Sequence, residues 1–141
     1  MTPEQITIVE WTLQEAVDDL DRLADDFYGR LFEAEPRLRE LFTADLAQQR
    51  QMFADQLEAI VTVIRDCDTF TAAAAELGRR HRAYGVRPRD YALAGPALMA
   101  ALAAELGTCW TDEVEAAWLR AYNLIAEAMM AGAAERPQGS T

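Results

Sequence analysis

His81 is the only histidine in the chain, and it is the first place to look for chemistry. A neutral imidazole can give one ring nitrogen to a metal while the other nitrogen anchors the ring. Ala74 and Leu77 precede His81 at helical spacing, so it shares an apolar helix face with them. Arg79, Arg80 and Arg82 flank it. One histidine with no thiolate cluster excludes an ordinary zinc site, which takes four ligands. An imidazole on an apolar face suits a haem iron, and the arginines suit the haem's propionates. The same residue type also serves as a plain hydrogen-bonded core histidine, and on its own it does not decide between the two.

Two more polar residues sit among apolar ones. Tyr28 lies in Phe27-Tyr28-Gly29-Arg30-Leu31-Phe32. It reads either as a pocket donor or as an amphipathic core tyrosine bonded to a carbonyl. Gln49 interrupts the stripe Leu46, Gln49, Phe53, Leu57, Ile60, Ile64. Its neighbour Gln48 is the competing register, but that register turns polar Gln56 to the same side. Phe42 would be buried in any helical fold. Met129 and Met130 read as core. Cys67 and Cys109 lack CxxC spacing and read as inert packing residues in a reducing compartment.

The elements that must position these residues are helical throughout. No hairpin signal or extended alternation occurs. Thr2-Pro3-Glu4-Gln5 opens a helix with a cap, a first-position proline and a glutamine able to reach back. Ile6, Val9, Leu13 and Val17 continue its buried face. A second helix carries Leu20 to Phe32, and Pro36 starts a short third one running to Phe42. Further helices are expected from about Asp45 to Arg65 and from Asp68 to a stop at Gly85. Two more follow, from Arg89 to Leu106, where Pro96 either kinks the helix or marks an irregular first half, and after Thr111. The expectation is an all-α domain over residues 1–135 with about seven helices, then a flexible tail over 136–141.

The formal charge is -11, which argues against nucleic acid or an anionic membrane as partner. The most apolar run, Ala92 to Ala104, falls short of the ~20 residues of a membrane span. The N-terminus has no secretory pattern, and the expected place is the cytoplasm.

Several motifs together resemble the globin domain of flavohaemoglobins and related single-domain bacterial globins. Leu77-Gly78-Arg79-Arg80-His81-Arg82-Ala83-Tyr84-Gly85-Val86, with Tyr91 ten residues past the histidine, is similar to the family's proximal helix. The Phe27–Phe32 segment is similar to its second helix, whose tyrosine faces the distal pocket. Phe42 follows Pro36 by six residues, like the phenylalanine that packs on the haem. Leu46-Ala47-Gln48-Gln49 with Phe53 is similar to the distal helix. Tyr28 to Phe42 spans 14 residues and Gln49 to His81 spans 32, both familiar spacings. Ala116-Ala117-Trp118 with Ala121-Tyr122 is similar to the last helix.

The resemblance implies a globin fold with a short or absent fourth helix. It also implies a haem b site with His81 as iron ligand and with Phe42, Tyr28, Gln49, Phe53, Leu57, Leu77, Arg80, Val86 and Tyr91 around the cofactor. The carbonyl of Leu77 is the expected partner of the other His81 nitrogen. Two departures stand out. Phe53 replaces a common leucine and should reshape the ligand cavity. The late glutamate that the family groups with its histidine falls on Ala133, which disfavours peroxidase-like chemistry.

The implied function is reversible oxygen binding for storage, delivery or scavenging, with Tyr28 and Gln49 as hydrogen-bond donors to the gas. Nitric oxide dioxygenation with a separate reductase is the alternative, and a gas or redox sensor ranks behind both. Carbon monoxide and nitric oxide are further expected ligands. No GxGxxG is present, so iron reduction is expected to come from another protein. The sequence leaves monomer and homodimer open.

Overall fold

Thr2 begins the first helix in the way its spacing predicts. Its hydroxyl accepts the Gln5 N–H, and the Gln5 side chain accepts the Thr2 N–H, both at 3.1 Å. The computed structural model describes residues 1–41 and 45–134. It contains α1 (Pro3–Trp11), α2 (Leu20–Ala34), a short 3₁₀ helix (Pro36–Leu41), α3 (Leu46–Thr62), α4 (Cys67–Ala83), α5 (Pro88–Leu106) and α6 (Asp112–Ala134). No strand occurs among the described residues. Phe42 and the tail from residue 136 lie outside them.

Helix starts follow capping chemistry. Asp19, Asp45 and Asp66 accept the N–H groups of Arg22, Ala47 and Thr69 at 3.1, 3.0 and 3.2 Å. Each places an acid at the positive end of a helix dipole. Gly85, at φ 96°, reverses the chain after α4, a conformation a side chain disfavours. The α5 helix runs on through Pro96.

The first helix departs from expectation. The apolar stripe predicts one α-helix through Val17, but the α form ends at Trp11 and a wider π turn spans Thr12–Ala16. The cause is Thr12, which is fully buried. Its hydroxyl donates to the Ile8 carbonyl at 2.7 Å and accepts the Trp118 indole N–H at 2.8 Å. A threonine bonded back to the preceding turn loosens the helix there. Both cysteines also differ from the expected packing role. Cys67 opens α4, Cys109 lies beyond α5, and both are exposed.

The core is layered. The most extensive contact is α4 against α6; α2 crosses α5 and also packs on α3, and α1 lies on α6. Two glycines make the α4–α6 contact possible. A Cβ at Gly78 would overlap the Met129 main chain, and one at Gly132 would overlap that of Ala75. Arg22 of α2 grips Glu105 of α5 through two N–H groups at 2.5 and 2.9 Å. Pro88–Cys109 is 22 residues, long and apolar enough to cross a membrane, which corrects the shorter run read from the sequence. Here Ala97, Leu98, Ala101 and Leu102 of this segment are buried in the core.

Candidate functional site

His81 sits in the last turn of α4, half-buried. Its Nδ1 lies 2.8 Å from the Leu77 carbonyl, the partner expected from the sequence. A carbonyl only accepts, so in this hydrogen bond Nδ1 carries the proton and Nε2 keeps its lone pair. Burial pushes the imidazole pKa down; the Leu77 bond opposes this and the Arg80 charge adds to it. The ring is thereby held neutral, the form that binds a metal. After Gly85 the chain folds back, and Val86 N–H donates to the His81 carbonyl at 3.0 Å.

Beside His81 lies a cavity of about 90 Å³. Its walls come from four elements and the turn after α4. Helix α2 gives Phe27, Tyr28 and Leu31, and the 3₁₀ helix gives Leu38 and Leu41. Helix α4 gives His81, and Val86 follows it in the turn. Helix α5 gives Asp90, Tyr91 and Ala94. Burial raises the Tyr28 phenol to about 12, so the hydroxyl keeps its proton. Burial, and then the Asp90 charge, also raise the Tyr91 phenol. The Tyr91 main chain is fixed by Tyr122 of α6, whose hydroxyl donates to its carbonyl at 2.5 Å.

The structure thus gathers Tyr28, His81, Val86 and Tyr91 around one void. Leu77 is buried and contributes its carbonyl. Phe53 does not line the void. It stacks on Phe27, with centroids 4.7 Å apart, and meets Tyr28 edge-on at 5.7 Å. Leu57 is buried, Gln49 is half-buried and Gln48 is exposed; none of them lines the void. Arg80 is exposed, 4.0 Å from Glu76 on its own helix. Phe42 lies outside the described residues. Asp90 was missed by sequence reasoning, because an acid just after Pro88 reads as an exposed first-turn residue. Leu38 and Leu41 carry no signal beyond helical spacing.

The site is thus an all-α frame with its one histidine, Nδ1 committed to Leu77, set against a small apolar cavity. A globin family profile matches residues 25–129. The chain belongs to the globin family. It is 30% identical over its whole length to a flavohemoprotein of Bordetella pertussis, of which it spans 38%. It is 32% identical over 72% of its length to one of Rhizobium meliloti, spanning 26% of that protein. The chain therefore spans about a quarter to two fifths of these two relatives. Among solved structures, a hexacoordinated heme protein from an anhydrobiotic tardigrade superposes with TM-score 0.87 at 15% identity, covering 96% of each chain. A bacterial globin of Campylobacter jejuni gives 0.80 at 20% identity, covering 94% of this chain and 96% of its own.

Proposed function

We propose that this globin binds haem b through His81 Nε2 and reversibly takes up oxygen, with Tyr28 as the principal hydrogen-bond donor to the gas. The observation that carries the reading is the His81 geometry: Nδ1 is committed to Leu77, which leaves the Nε2 lone pair, and His81 and Tyr28 line the same apolar cavity. The donor set fits a haem. The haem, when bound, supplies an iron atom that takes a diatomic ligand. His81 holds that group from one side, and Leu77 fixes the ring's tautomer. Phe27, Leu31, Leu38 and Leu41 keep water out, which strengthens any polar contact inside. Tyr28 offers a proton donor to a gas that gathers negative charge on binding, as oxygen does. The void alone has no room for a macrocycle, so seating one would require its walls to move apart.

A second reading, nitric oxide dioxygenation with a separate reductase, is supported by the flavohemoprotein relatives. Ala133 stands where the resemblance places a glutamate, and its carbonyl accepts from Arg82 instead. That arrangement favours gas binding over turnover. The expected setting is the cytoplasm, as monomer or homodimer.

The test is an absorption spectrum of the protein with hemin, before and after reduction and exposure to oxygen. A Soret band at one haem per chain, shifting reversibly with oxygen, is the expected result. His81→Ala should lose the haem or bind it weakly with a changed spectrum. No Soret band in the wild type, or an unchanged one in His81→Ala, overturns the proposal.

A further inference from the structure

Asp90 is the one charged residue buried as a whole among the described residues, with 5% of its surface exposed; the Glu105 side chain is also buried but is paired with Arg22 through two hydrogen bonds. One Asp90 carboxylate oxygen accepts the Arg87 N–H at 2.9 Å and so caps the start of α5. That task does not call for burial. Asp19, Asp45 and Asp66 cap α2, α3 and α4 from exposed positions. Burying a carboxylate is costly unless it is fully paired, and Asp90 is not. Its Oδ1 lies 3.5 Å from the Arg37 guanidinium but makes no hydrogen bond. The contact is one of charge alone, and the arginine is 40% exposed to solvent that weakens it.

The position of this under-neutralised charge points to its use. Asp90 lines the same cavity as His81, Tyr28 and Tyr91. Its field is felt there, since it helps raise the Tyr91 phenol. It does not act through the His81 ring, whose Nδ1 is taken by Leu77. We infer that Asp90 is an electrostatic positioning residue whose buried carboxylate, partly balanced by Arg37, biases an iron held by His81 toward the ferric state. The inference rests on the haem-binding reading above. A fixed negative charge stabilises the more positive oxidation state, Fe(III), and opposes its one-electron reduction to Fe(II). A unit charge roughly 10 Å from a redox centre, at an effective dielectric near 20, shifts such an equilibrium about tenfold. Arg37 brings the opposite charge from the 3₁₀ helix, so the pair sets the balance from two separate elements.

The test is a mediated redox titration of the hemin-loaded protein. Asp90→Asn keeps an oxygen to accept the Arg87 N–H and removes the charge. The ferrous-to-ferric ratio at fixed potential should rise about tenfold, a midpoint shift of about 59 mV for one electron. Arg37→Gln should move it the other way, by roughly threefold, because that charge is partly screened. Asp19→Asn, an exposed cap on α2, is the charge-matched control and should leave the ratio within about twofold. Opposite shifts at the two positions are the signature of a field; a loosened pocket moves both the same way. Equal signs, or no change in Asp90→Asn with haem fully bound, overturn the inference and leave the haem reading standing. A wild type without a Soret band overturns both.

Discussion

The helix that carries His81 and the wall across the cavity from it are built from different kinds of contact. On the α4 side, Gly78 and Gly132 bring main chain against main chain, and no side chain lies between to adjust. On the α2 side, rings meet rings: Phe27 stacks on Phe53, and Tyr28 packs between Phe32 and Phe53. A backbone seam is nearly incompressible, while stacked rings can slide or rotate at modest cost. The imidazole therefore rides on a helix held by a main-chain seam. The cavity beside it is bounded by stacked rings on the α2 side. That division suits the proposed haem site, in which one nitrogen would be held fixed while the walls adapt to the cofactor.

Breaking the seam should have the largest effect. Gly78→Ala puts a methyl group into the Met129 main chain, and the helices must separate to admit it. A loss of at least about 3 kcal/mol is expected, well above the usual single substitution and a large share of a typical domain's stability. Urea unfolding of the cofactor-free protein measures it. A loss below about 1 kcal/mol would mean that α4 and α6 can part easily, and the contrast between the walls would disappear.

The next effect tests the adaptable wall. Tyr28→Phe keeps the ring and its stacking but removes the donor. Oxygen release should accelerate roughly 10- to 150-fold, the worth of one hydrogen bond to a charged group. Gln49→Leu should do less, because its longer side chain loses more freedom in reaching the gas. Carbon monoxide gathers far less charge, and its release should change little. Stopped-flow measurements with both gases decide the matter. Equal acceleration for the two would point to cavity shape, with Phe53 as its determinant through Phe27.

What the sequence makes legible follows from how local each feature is. The Thr2–Gln5 cap, the Gly85 stop and the Leu77 partner of His81 are settled within four residues of one another, and each is found where spacing places it. The π turn at Thr12 is not legible, because the apolar stripe runs on past it and its cause is Trp118, on the last helix. Gly78 and Gly132 are readable as glycines, but the need for them arises only when α4 meets α6. Asp90 has the same history: its place in the sequence describes a cap, and its burial arises only in the folded chain, where Arg37 of the 3₁₀ helix stands 3.5 Å away. For the site, Tyr28, Tyr91 and His81 line one cavity. Phe53 lies behind the void because it stacks on Phe27, which lines it, and Gln49 is not among the lining residues.

Acid should distinguish the neutral His81 from the rest of the molecule. Its pKa is lowered in the folded chain, chiefly by burial. As pH falls below its ordinary value of 6.5, the unfolded chain takes up a proton that the folded ring refuses. Stability of the cofactor-free protein should therefore decline from about pH 6.5 downward, until the folded ring's own lower pKa is reached. Asp66 and Glu105, whose carboxyls are held below their ordinary values by Thr69 and Arg22, lose their contribution at more acidic pH. His81 is the only histidine, so His81→Leu should flatten the decline between about pH 6.5 and 5. Urea midpoints across that range provide the check, and an unchanged slope would mean that the ring is not held neutral.

The smallest effect sharpens the comparison most, because it repeats the seam substitution on the other wall. Gly29 lies within α2, next to Tyr28 and exposed, and a Cβ there would meet nothing within 4 Å. A helix-interior glycine costs about 0.5–1 kcal/mol relative to alanine, through backbone freedom lost on folding. Gly29→Ala should therefore stabilise the protein by about that amount, with the sign opposite to Gly78→Ala. The added methyl faces solvent, so the Tyr28 hydroxyl should stay in place and oxygen release should remain within about twofold of wild type. The urea midpoint and the release rate need to be measured on the same preparation. A stabilised protein with unchanged release means that the α2 wall tolerates a stiffer backbone, its adaptability residing in the rings alone. A stabilised protein with altered release would place part of that adaptability in the α2 main chain at Gly29, and the wall would then flex as a helix as well as through its side chains.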